Sequence, residues 1–308
     1  MRLEGRDFLS VADLSAEELT YLLDLADRLK AGEQSKALEG RSVALLFEHP
    51  SLRTRLTFDL GVQQLGGHGI YMSPSEVNLG EREAVPDIAR NLERWVQCIV
   101  ARVRYHSSLV ELAQAARVPV VNALSDREHP CQAIADFQTL RERLGRLEGA
   151  VLLYCGDGNN VCHSLLLAGA RLGVSVWVAT PPAFEPRPEI VSQARREAEQ
   201  TGASIRLERN SDVLVGEADA LYTDVWASMG QEAEKEQRRR IFLPYQINER
   251  LLAKAKPGAL VMHCLPAHRG EEITDEVMDG PASVVWDEAE NRLHAQKALL
   301  AWLLERRA

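Results

Sequence analysis

The stretch AVLLYCGDGNNVCHSLLLAGARLGVSVWVATP (residues 150–181) decides the fold, because it contains a complete strand–helix–strand pattern. AVLLYCG (150–156) and VSVWVATP (174–181) are short apolar runs next to turn residues, which is typical of buried strands. The segment SLLLAGARLG (164–173) between them is predicted to be a helix. A helix between two strands predicts a βαβ unit with parallel strands.

The same alternation continues along the chain on both sides of the break GRLEG (145–149). We therefore predict an α/β fold of two doubly wound αβα domains with parallel sheets, joined by a long helix at 129–145. The first domain should comprise 1–147 with a returning C-terminal helix at 291–308, and the second should comprise 148–290. The other predicted strands are 41–47, 69–72, 96–103, 119–124, 203–209, 219–226 and 259–266, and the other helices are 10–32, 52–65, 84–94, 107–116 and 187–201.

Composition excludes several classes of protein. The chain has 308 residues, 45% apolar residues and a net charge of −9, which suits two domains and argues against nucleic-acid binding. It has no apolar run long enough for a membrane span, and charges interrupt the N-terminus where a signal peptide would need apolar residues. We expect a cytoplasmic protein with neither a disulfide framework nor a zinc site, because its five cysteines form no CxxC pair. These cysteines are Cys98, Cys131, Cys155, Cys162 and Cys264.

Polar clusters come after the predicted strands, where ligands bind in open α/β sheets. One such cluster alone would be a weak signal, but clusters at the ends of strands in both domains together predict an active-site cleft. The clusters are Ser51–Arg55, Arg102, His129–Gln132, Asp157–Asn160, Asp224–Met229 and His263–Pro266.

SLRTR (51–55) comes after the apolar run VALLF (43–47) and favours an anion site. A helix that begins near Ser51 would direct free backbone N–H groups and the positive end of its dipole beyond the strand. Hydroxyl and guanidinium groups at the same place suit a phosphate. The simpler alternative is a turn and then an amphipathic helix with a basic face.

GDGNNV (156–161) raises the alternative of a dinucleotide-binding turn. That fingerprint requires a third glycine, where Val161 stands, and an acidic residue after the next strand, which VWVATP does not supply. A Walker loop is absent from the sequence. A two-domain protein that binds small molecules without turnover remains the alternative to an enzyme.

The motifs resemble those of the aspartate/ornithine carbamoyltransferase family. SLRTR is similar to the family's Ser-Thr-Arg-Thr-Arg loop, with Leu52 in place of a threonine, and HPCQ (129–132) resembles its His-Pro-x-Gln motif. DVWASMG (224–230) and HCLP (263–266) are similar to the signatures of the ornithine branch, and EAENR (288–292) completes the set. The resemblance implies a carbamoyl-phosphate-binding first domain and an ornithine-binding second domain.

It also implies an enzyme of arginine metabolism that transfers the carbamoyl group of carbamoyl phosphate to the δ-amine of L-ornithine, giving L-citrulline and phosphate. No metal, cofactor or covalent intermediate is needed if preorganised donors stabilise the developing charge. The implied catalytic residues are Arg102, His129, Cys264 and Arg292. The residues implied to bind carbamoyl phosphate are Ser51, Leu52, Arg53, Thr54, Asn78, Arg102, His129, Pro130, Cys131, Gln132, Cys264, Leu265 and Arg292.

For ornithine, the resemblance implies Asp224 against the α-ammonium group and Asn160 against the α-carboxylate, with Ser228 and Met229 closing over the ligand. Each residue also has a structural explanation, such as a helix cap for Asp224 or a small buried side chain for Cys264. A related amine such as N-acetylornithine or putrescine is an alternative acceptor. The resemblance further implies a homotrimer or an assembly of trimers, because the loop around Asn78 is expected to reach a neighbouring site.

Overall fold

Two parallel β-sheets form the framework of the protein in a computed structural model. Contacts divide the chain into two units, the first comprising Met1–Gln138 with Glu290–Ala308 and the second Thr139–Ala289. Helix α6 (Pro130–Leu144) passes from the first unit to the second. The structure describes residues 6–77, 79–80, 83–227 and 234–305.

The sheet of the first unit is formed by β1 (Ser42–Phe47), β2 (His68–Met72), β3 (Cys98–Arg102) and β4 (Val120–Leu124). All neighbours are parallel in the order β2-β1-β3-β4, so the order reverses between β1 and β3. Ligands in open α/β sheets bind at such a reversal, outside the carboxyl ends of the strands. The helices of this unit before α6 are α1 (Ala16–Lys30), α2 (Leu52–Gln64), α3 (Pro74–Val77), α4 (Val85–Leu92) and α5 (His106–Ala115).

The second sheet has five parallel strands, β5 (Val151–Cys155), β6 (Ser175–Ala179), β7 (Ile205–Glu208), β8 (Ala220–Thr223) and β9 (Leu260–His263). Their order is β7-β6-β5-β8-β9, and the order reverses between β5 and β8. Each sheet therefore offers one place for a ligand. The helices of this unit are α7 (Asn160–Arg171), α8 (Pro188–Thr201), α9 (Lys235–Phe242), α10 (Glu249–Leu252) and α11 (Asp275–Met278). The last helix, α12 (Val285–Leu304), begins in the second unit and continues into the first from Glu290.

The turn between β5 and α7 depends on two glycines. Gly156 has φ of 141°, in the region that favours glycine. A Cβ at Gly158 would lie 2.2 Å from the backbone nitrogen of Pro186, so a larger residue would displace that backbone. The glycines that suggested a nucleotide motif therefore allow α7 to begin close to the end of β5.

The fold class is confirmed: two parallel-sheet α/β units are present, and the C-terminal part of α12 packs on the first unit. Lys297 of α12 donates a hydrogen bond to Gln64 at 3.1 Å. The expectation of one helix over 10–32 was wrong, because Ser15 caps α1 and separates it from a 3-10 turn at Val11–Asp13. Helix α9 was missed. No helix in the described part of the chain is long and apolar enough to cross a membrane.

Candidate active site

The carboxyl ends of β1 and β3 bring the first polar cluster together. Phe47 and Arg102 are register partners, and Arg102 is buried at the end of its strand. Ser51 is the N-cap of α2, and its hydroxyl accepts a hydrogen bond from the backbone N–H of Thr54 at 3.3 Å. Helix α2 thus begins where the sequence predicted, with its positive end at the reversal point of the sheet.

His129 lies just before α6 and is buried. Burial and the charges of Arg292, Arg102 and Arg53 hold its pKa well below the ordinary value of 6.5. The imidazole is therefore neutral at pH 7 and carries one N–H and one lone pair. Three guanidinium groups acting on one neutral imidazole create a local positive field suited to an anion.

Arg292 of α12 connects two of these motifs within the first unit. Its Nη1 donates to Oε1 of Gln132, and its Nη2 donates to Oγ1 of Thr54 at 3.2 Å. The other end of Gln132 donates from Nε2 to Oδ1 of Asp136 at 2.7 Å. SLRTR, HPCQ and EAENR are far apart in the sequence, yet one residue of each, Thr54, Gln132 and Arg292, belongs to a single buried hydrogen-bonded group.

Three other residues of the predicted phosphate set have different surroundings. The side chain of Leu52 is 71% exposed, so only its backbone could serve an anion at the helix start. The thiol of Cys131 donates to the backbone oxygen of Asn122 at 3.3 Å, and burial raises its pKa to about 12. Pro130 begins α6 and is buried.

The second unit has a separate cluster at the ends of β5, β8 and β9. Asp224 is buried and comes directly after β8. Its Oδ2 accepts a hydrogen bond from Nδ2 of Asn159 at 2.7 Å, and its Oδ1 accepts from the thiol of Cys264 at 3.0 Å. Oδ1 also accepts from the backbone N–H of Val225 at 2.8 Å. Asn160, the first residue of α7, is half-buried beside Asn159.

A buried hydrogen-bond chain fixes the turn after β9. The backbone N–H of Leu265 donates to Nδ1 of His263 at 2.8 Å, so the ring proton is on Nε2, which lies 3.1 Å from Oε1 of Glu272. Leu265 has φ of 61°, an uncommon value for a residue with a side chain. The backbone N–H of His263 donates to Glu288 at 2.9 Å. The turn therefore holds Cys264 against Asp224 with a defined geometry.

Comparison with known protein families matches one described domain to each of the two parts of the chain that carry these clusters. Residues 6–142 match the domain described as "Aspartate/ornithine carbamoyltransferase, carbamoyl-P binding domain", and residues 148–303 match the "Asp/Orn binding domain" of the same family. The chain belongs to the aspartate/ornithine carbamoyltransferase family.

Similar members of the family match nearly the full length of the chain. The protein named ornithine carbamoyltransferase from Thermococcus kodakarensis is 50% identical over 306 residues, which are 98% of this chain and 97% of that protein. The solved structure of the Pyrococcus furiosus ornithine carbamoyltransferase is 49% identical, with a TM-score of 0.96 over 99% of this chain and 98% of that one. The Thermus thermophilus ornithine carbamoyltransferase structure is 45% identical, with a TM-score of 0.89 over 97% and 99% of the two chains.

Three residues predicted for this family's site, Asn78, Ser228 and Met229, lie outside the described residues. Of the other predicted residues, those of the phosphate set from Ser51 to Gln132 and Arg292 belong to the first unit. Asn160, Asp224, Cys264 and Leu265 belong to the second.

Sequence reasoning missed Arg238, a buried residue of α9 that ion-pairs with Asp157. Its Nε donates to the backbone oxygen of Trp226. Asp157 had been noted within a polar cluster after a strand, but its partner is 81 residues away in the sequence. The KEQRRR run (235–240) gave no signal for which arginine points inward.

Two groups of side chains in the described part of the chain have the composition of a metal site, Asp224 with His263 and Cys264, and His268 with Glu271 and Glu272. In the first group, the hydrogen bonds given above engage both nitrogens of His263 and both oxygens of Asp224. In the second, Glu271 already pairs with Lys235 at 3.1 Å. Hydrogen bonds and an ion pair within the protein thus already engage many of the atoms in these two groups that could bind a metal.

Proposed function

We propose that the protein transfers the carbamoyl group of carbamoyl phosphate to the δ-amine of L-ornithine, producing L-citrulline and phosphate in arginine metabolism. The observation that carries the proposal is the neutral, buried His129 under the charges of Arg53, Arg102 and Arg292. Family membership and relatives named ornithine carbamoyltransferase support the same reaction.

The reaction needs stabilisation of two negative charges. The nitrogen lone pair of ornithine forms the new C–N bond, the C–O bond to phosphate breaks, and the bonding electrons leave with the phosphate oxygen. Charge builds on the carbonyl oxygen as the nitrogen attacks, and on the phosphate as it departs. Donors that are already in place stabilise such charge without reorganisation at the moment of reaction.

The first unit supplies donors for both charges. We assign the phosphate to Ser51, Arg53 and Thr54 with the backbone N–H of Leu52, because these groups surround the positive end of α2. Arg102 would reach both the phosphate and the carbonyl oxygen.

We assign to His129 the donation of its single N–H to the carbonyl oxygen. A neutral imidazole can make this bond without adding a buried charge. Gln132 would bind the carbamoyl NH₂ group, since Arg292 and Asp136 fix its two ends. Arg292 would add positive charge near the carbonyl oxygen. Pro130, Cys131, Cys264, Leu265 and Asn78 complete the proposed carbamoyl-phosphate set.

The second unit supplies the amino-acid site in this proposal. Asp224 would pair with the α-ammonium group, and Asn160 would donate to the α-carboxylate. Cys264, held 3.0 Å from Asp224, would lie beside the attacking amine, which must be uncharged to react. The departing phosphate oxygen can take up the proton that the nitrogen loses. We also assign Ser228 and Met229 to the binding of ornithine.

One assay tests the acceptor. Carbamoyl phosphate should give product fastest with ornithine when ornithine, N-acetylornithine, putrescine and aspartate are offered separately at equal concentration. A preference for another amine would reject the acceptor and leave the carbamoyl-phosphate site in place. Binding of both substrates with no citrulline would instead support a non-catalytic binding protein.

We also propose a homotrimer or an assembly of trimers as the working unit. The first unit exposes an apolar stripe on α2, Leu52, Leu56 and Leu60, which are spaced four residues apart on one helix face. Ile70 on the edge strand β2 is also exposed. Such a surface suits burial against another copy. An active monomer of about 34 kDa in sedimentation would contradict this assembly.

Two further expectations stand as proposals. Cytoplasmic location fits five free cysteines, all of them buried. Functional domains at 1–147 with 291–308, and at 148–290, remain our proposed boundaries.

A further inference from the structure

Arg238 is buried in the second unit, with only 5% of it exposed, and it makes three kinds of contact there. Its Nε donates to the backbone oxygen of Trp226, and its Nη2 donates to Oδ2 of Asp157. The guanidinium carbon also lies 4.8 Å from the ring centre of Phe184 and 5.3 Å from that of Phe242. Two aromatic rings and two acceptors therefore fix the position and the plane of the group.

The two acceptors belong to neighbouring strand ends. Asp157 lies two residues after β5, and Trp226 lies three residues after β8, which pairs with β5 in the sheet. The same two turns carry the partners that meet in the proposed amino-acid site. Asn159 lies two residues after Asp157, and it donates to Asp224, which precedes Trp226 by two. One guanidinium thus connects the carboxylate of Asp157 with the backbone oxygen of Trp226, on the two turns that also carry Asn159 and Asp224.

We propose that Arg238, held by Asp157, is a positioning residue that sets the distance between Asp224 and the Asn159–Asn160 turn and thereby the affinity for the amino-acid substrate. This inference rests on the proposed function, since it assigns the second unit to ornithine. Arg238 itself touches neither substrate; it acts through Trp226 and Asp157.

Stability alone is a poor explanation for this ion pair. Burial raises the pKa of Asp157 to about 6 even though Arg238 lowers it, and the nearby charge of Asp224 raises it further. Burial thus opposes the charged form of this carboxylate and is the largest cause of the raised pKa. Well-packed apolar residues often stabilise a protein as well as a buried ion pair does. What an apolar pair cannot do is hold a backbone carbonyl and a turn at a fixed separation.

The choice of arginine is explained by the same geometry. The fork of a guanidinium reaches two acceptors on different elements through different nitrogens, here Nε and Nη2. A lysine has one nitrogen at the end of a flexible chain, and so it would keep the charge but lose the fixed spacing. Arg238→Lys should therefore fail to restore substrate affinity even if it restores stability.

The chain offers a matched control in the same unit. Arg171 of α7 pairs with Glu197 of α8 at 2.7 Å, and their side chains are 10% and 20% exposed. Arg171 is the last residue of α7, at the opposite end from Asn160. Arg171→Gln thus removes a largely buried ion pair without touching the turns after β5 and β8.

The experiment measures kinetics, binding and thermal unfolding of Arg238→Gln, Arg238→Lys, Asp157→Asn and Arg171→Gln. In the three variants of the pair, the KM for ornithine at saturating carbamoyl phosphate should rise at least tenfold. The calorimetric Kd for carbamoyl phosphate should stay within about twofold of the wild type. Arg171→Gln should lower the melting temperature comparably and leave the KM for ornithine within twofold.

The KM of a double variant gives a second expectation. If Asp157 and Arg238 act as one unit, the double variant Asp157→Asn/Arg238→Gln should raise the KM little more than either single variant does. Equal KM changes in Arg171→Gln and Arg238→Gln would overturn the inference, because a loss of stability would then explain both. Additive effects of the two pair variants would also overturn it.

A crystal structure of a pair variant supplies a readout that does not depend on turnover. Arg238→Gln, or Arg238→Lys if the first does not fold, should lengthen the 2.7 Å contact between Asn159 and Asp224 beyond hydrogen-bonding distance. An unchanged contact would reject the positioning role whether or not the protein makes citrulline. Absence of citrulline from the wild type, together with a lengthened contact, would reject the proposed function alone.

Discussion

Replacement of Asp224 by asparagine should separate the two substrates. Asp224 accepts hydrogen bonds from Val225 and Cys264 on Oδ1 and from Asn159 on Oδ2. An asparagine keeps the size of the side chain but has one acceptor oxygen in place of two. If that oxygen takes the position of Oδ1, its NH₂ group faces the NH₂ group of Asn159.

Asn159 cannot turn its amide over without a further loss. Its Oδ1 caps α7 by accepting from the backbone N–H groups of Val161 and Cys162, at 3.0 and 3.1 Å. A buried donor left without an acceptor costs about 1–3 kcal/mol, and a hydrogen bond to a charged ligand group contributes about 1.5–3 kcal/mol. The unpaired donor is present with and without ornithine, so its cost should lower the stability of the protein. Because about 1.4 kcal/mol corresponds to a factor of ten, loss of the hydrogen bond to the ligand should lower kcat/KM for ornithine on the order of 10–10²-fold.

The assay compares steady-state kinetics for ornithine with calorimetric binding of carbamoyl phosphate, or of a stable analogue, to the free enzyme. Asp224→Asn should bind carbamoyl phosphate like the wild type, because the residues assigned to its phosphate, Ser51, Arg53 and Thr54, belong to the other unit. Arg53→Ala is the reciprocal variant and should weaken phosphate binding and turnover together. Loss of carbamoyl-phosphate binding in Asp224→Asn, or normal binding in Arg53→Ala, would refute the division of the substrates between the units.

Two more predictions concern the first unit. Thr54→Val removes the oxygen that accepts from Arg292 at 3.2 Å, so it should lower the free energy of unfolding by about 1.5–3 kcal/mol and slow turnover; an unchanged melting temperature and rate would contradict it. His129, whose pKa lies well below 6.5 in the folded protein, should show no ring titration by NMR between pH 6 and 8. Because the unfolded chain binds this proton below pH 6.5 and the folded chain does not, stability should fall with decreasing pH by up to about 1.4 kcal/mol per unit, and His129→Asn should remove that slope.

The sequence was sufficient to locate the ends of the strands and the polar residues beyond them. Ser51, Arg102 and Asp224 lie where the alternation of apolar runs and polar clusters predicted. The reason is local: an apolar run, a capping residue and a helix start are neighbours in the chain. The start of α7 at Asn160 was placed four residues late, at Ser164, because the continuous apolar run begins only at Leu165.

The contacts between distant segments could not be predicted in this way. Thr54 and Arg292 are 238 residues apart, and Arg238 and Asp157 are 81 apart. Residue type says that a buried arginine needs acceptors, but it does not say which acceptors the fold brings near. The hydrogen bond from Leu265 to His263 depends likewise on the backbone conformation of the turn.

Net charge is a poor guide to this site, and His129 shows why. The chain carries −9, yet the charges that act on the imidazole are those of Arg292, Arg102 and Arg53. Each of them opposes protonation, so the local potential at His129 is positive whatever the total charge of the surface. The same field that keeps the imidazole neutral attracts a phosphate dianion and stabilises negative charge on a carbonyl oxygen. Neutrality of His129 and binding of the anion are therefore two consequences of one arrangement of arginines, and a variant that removes one of these charges should raise the pKa of His129 as it weakens phosphate binding.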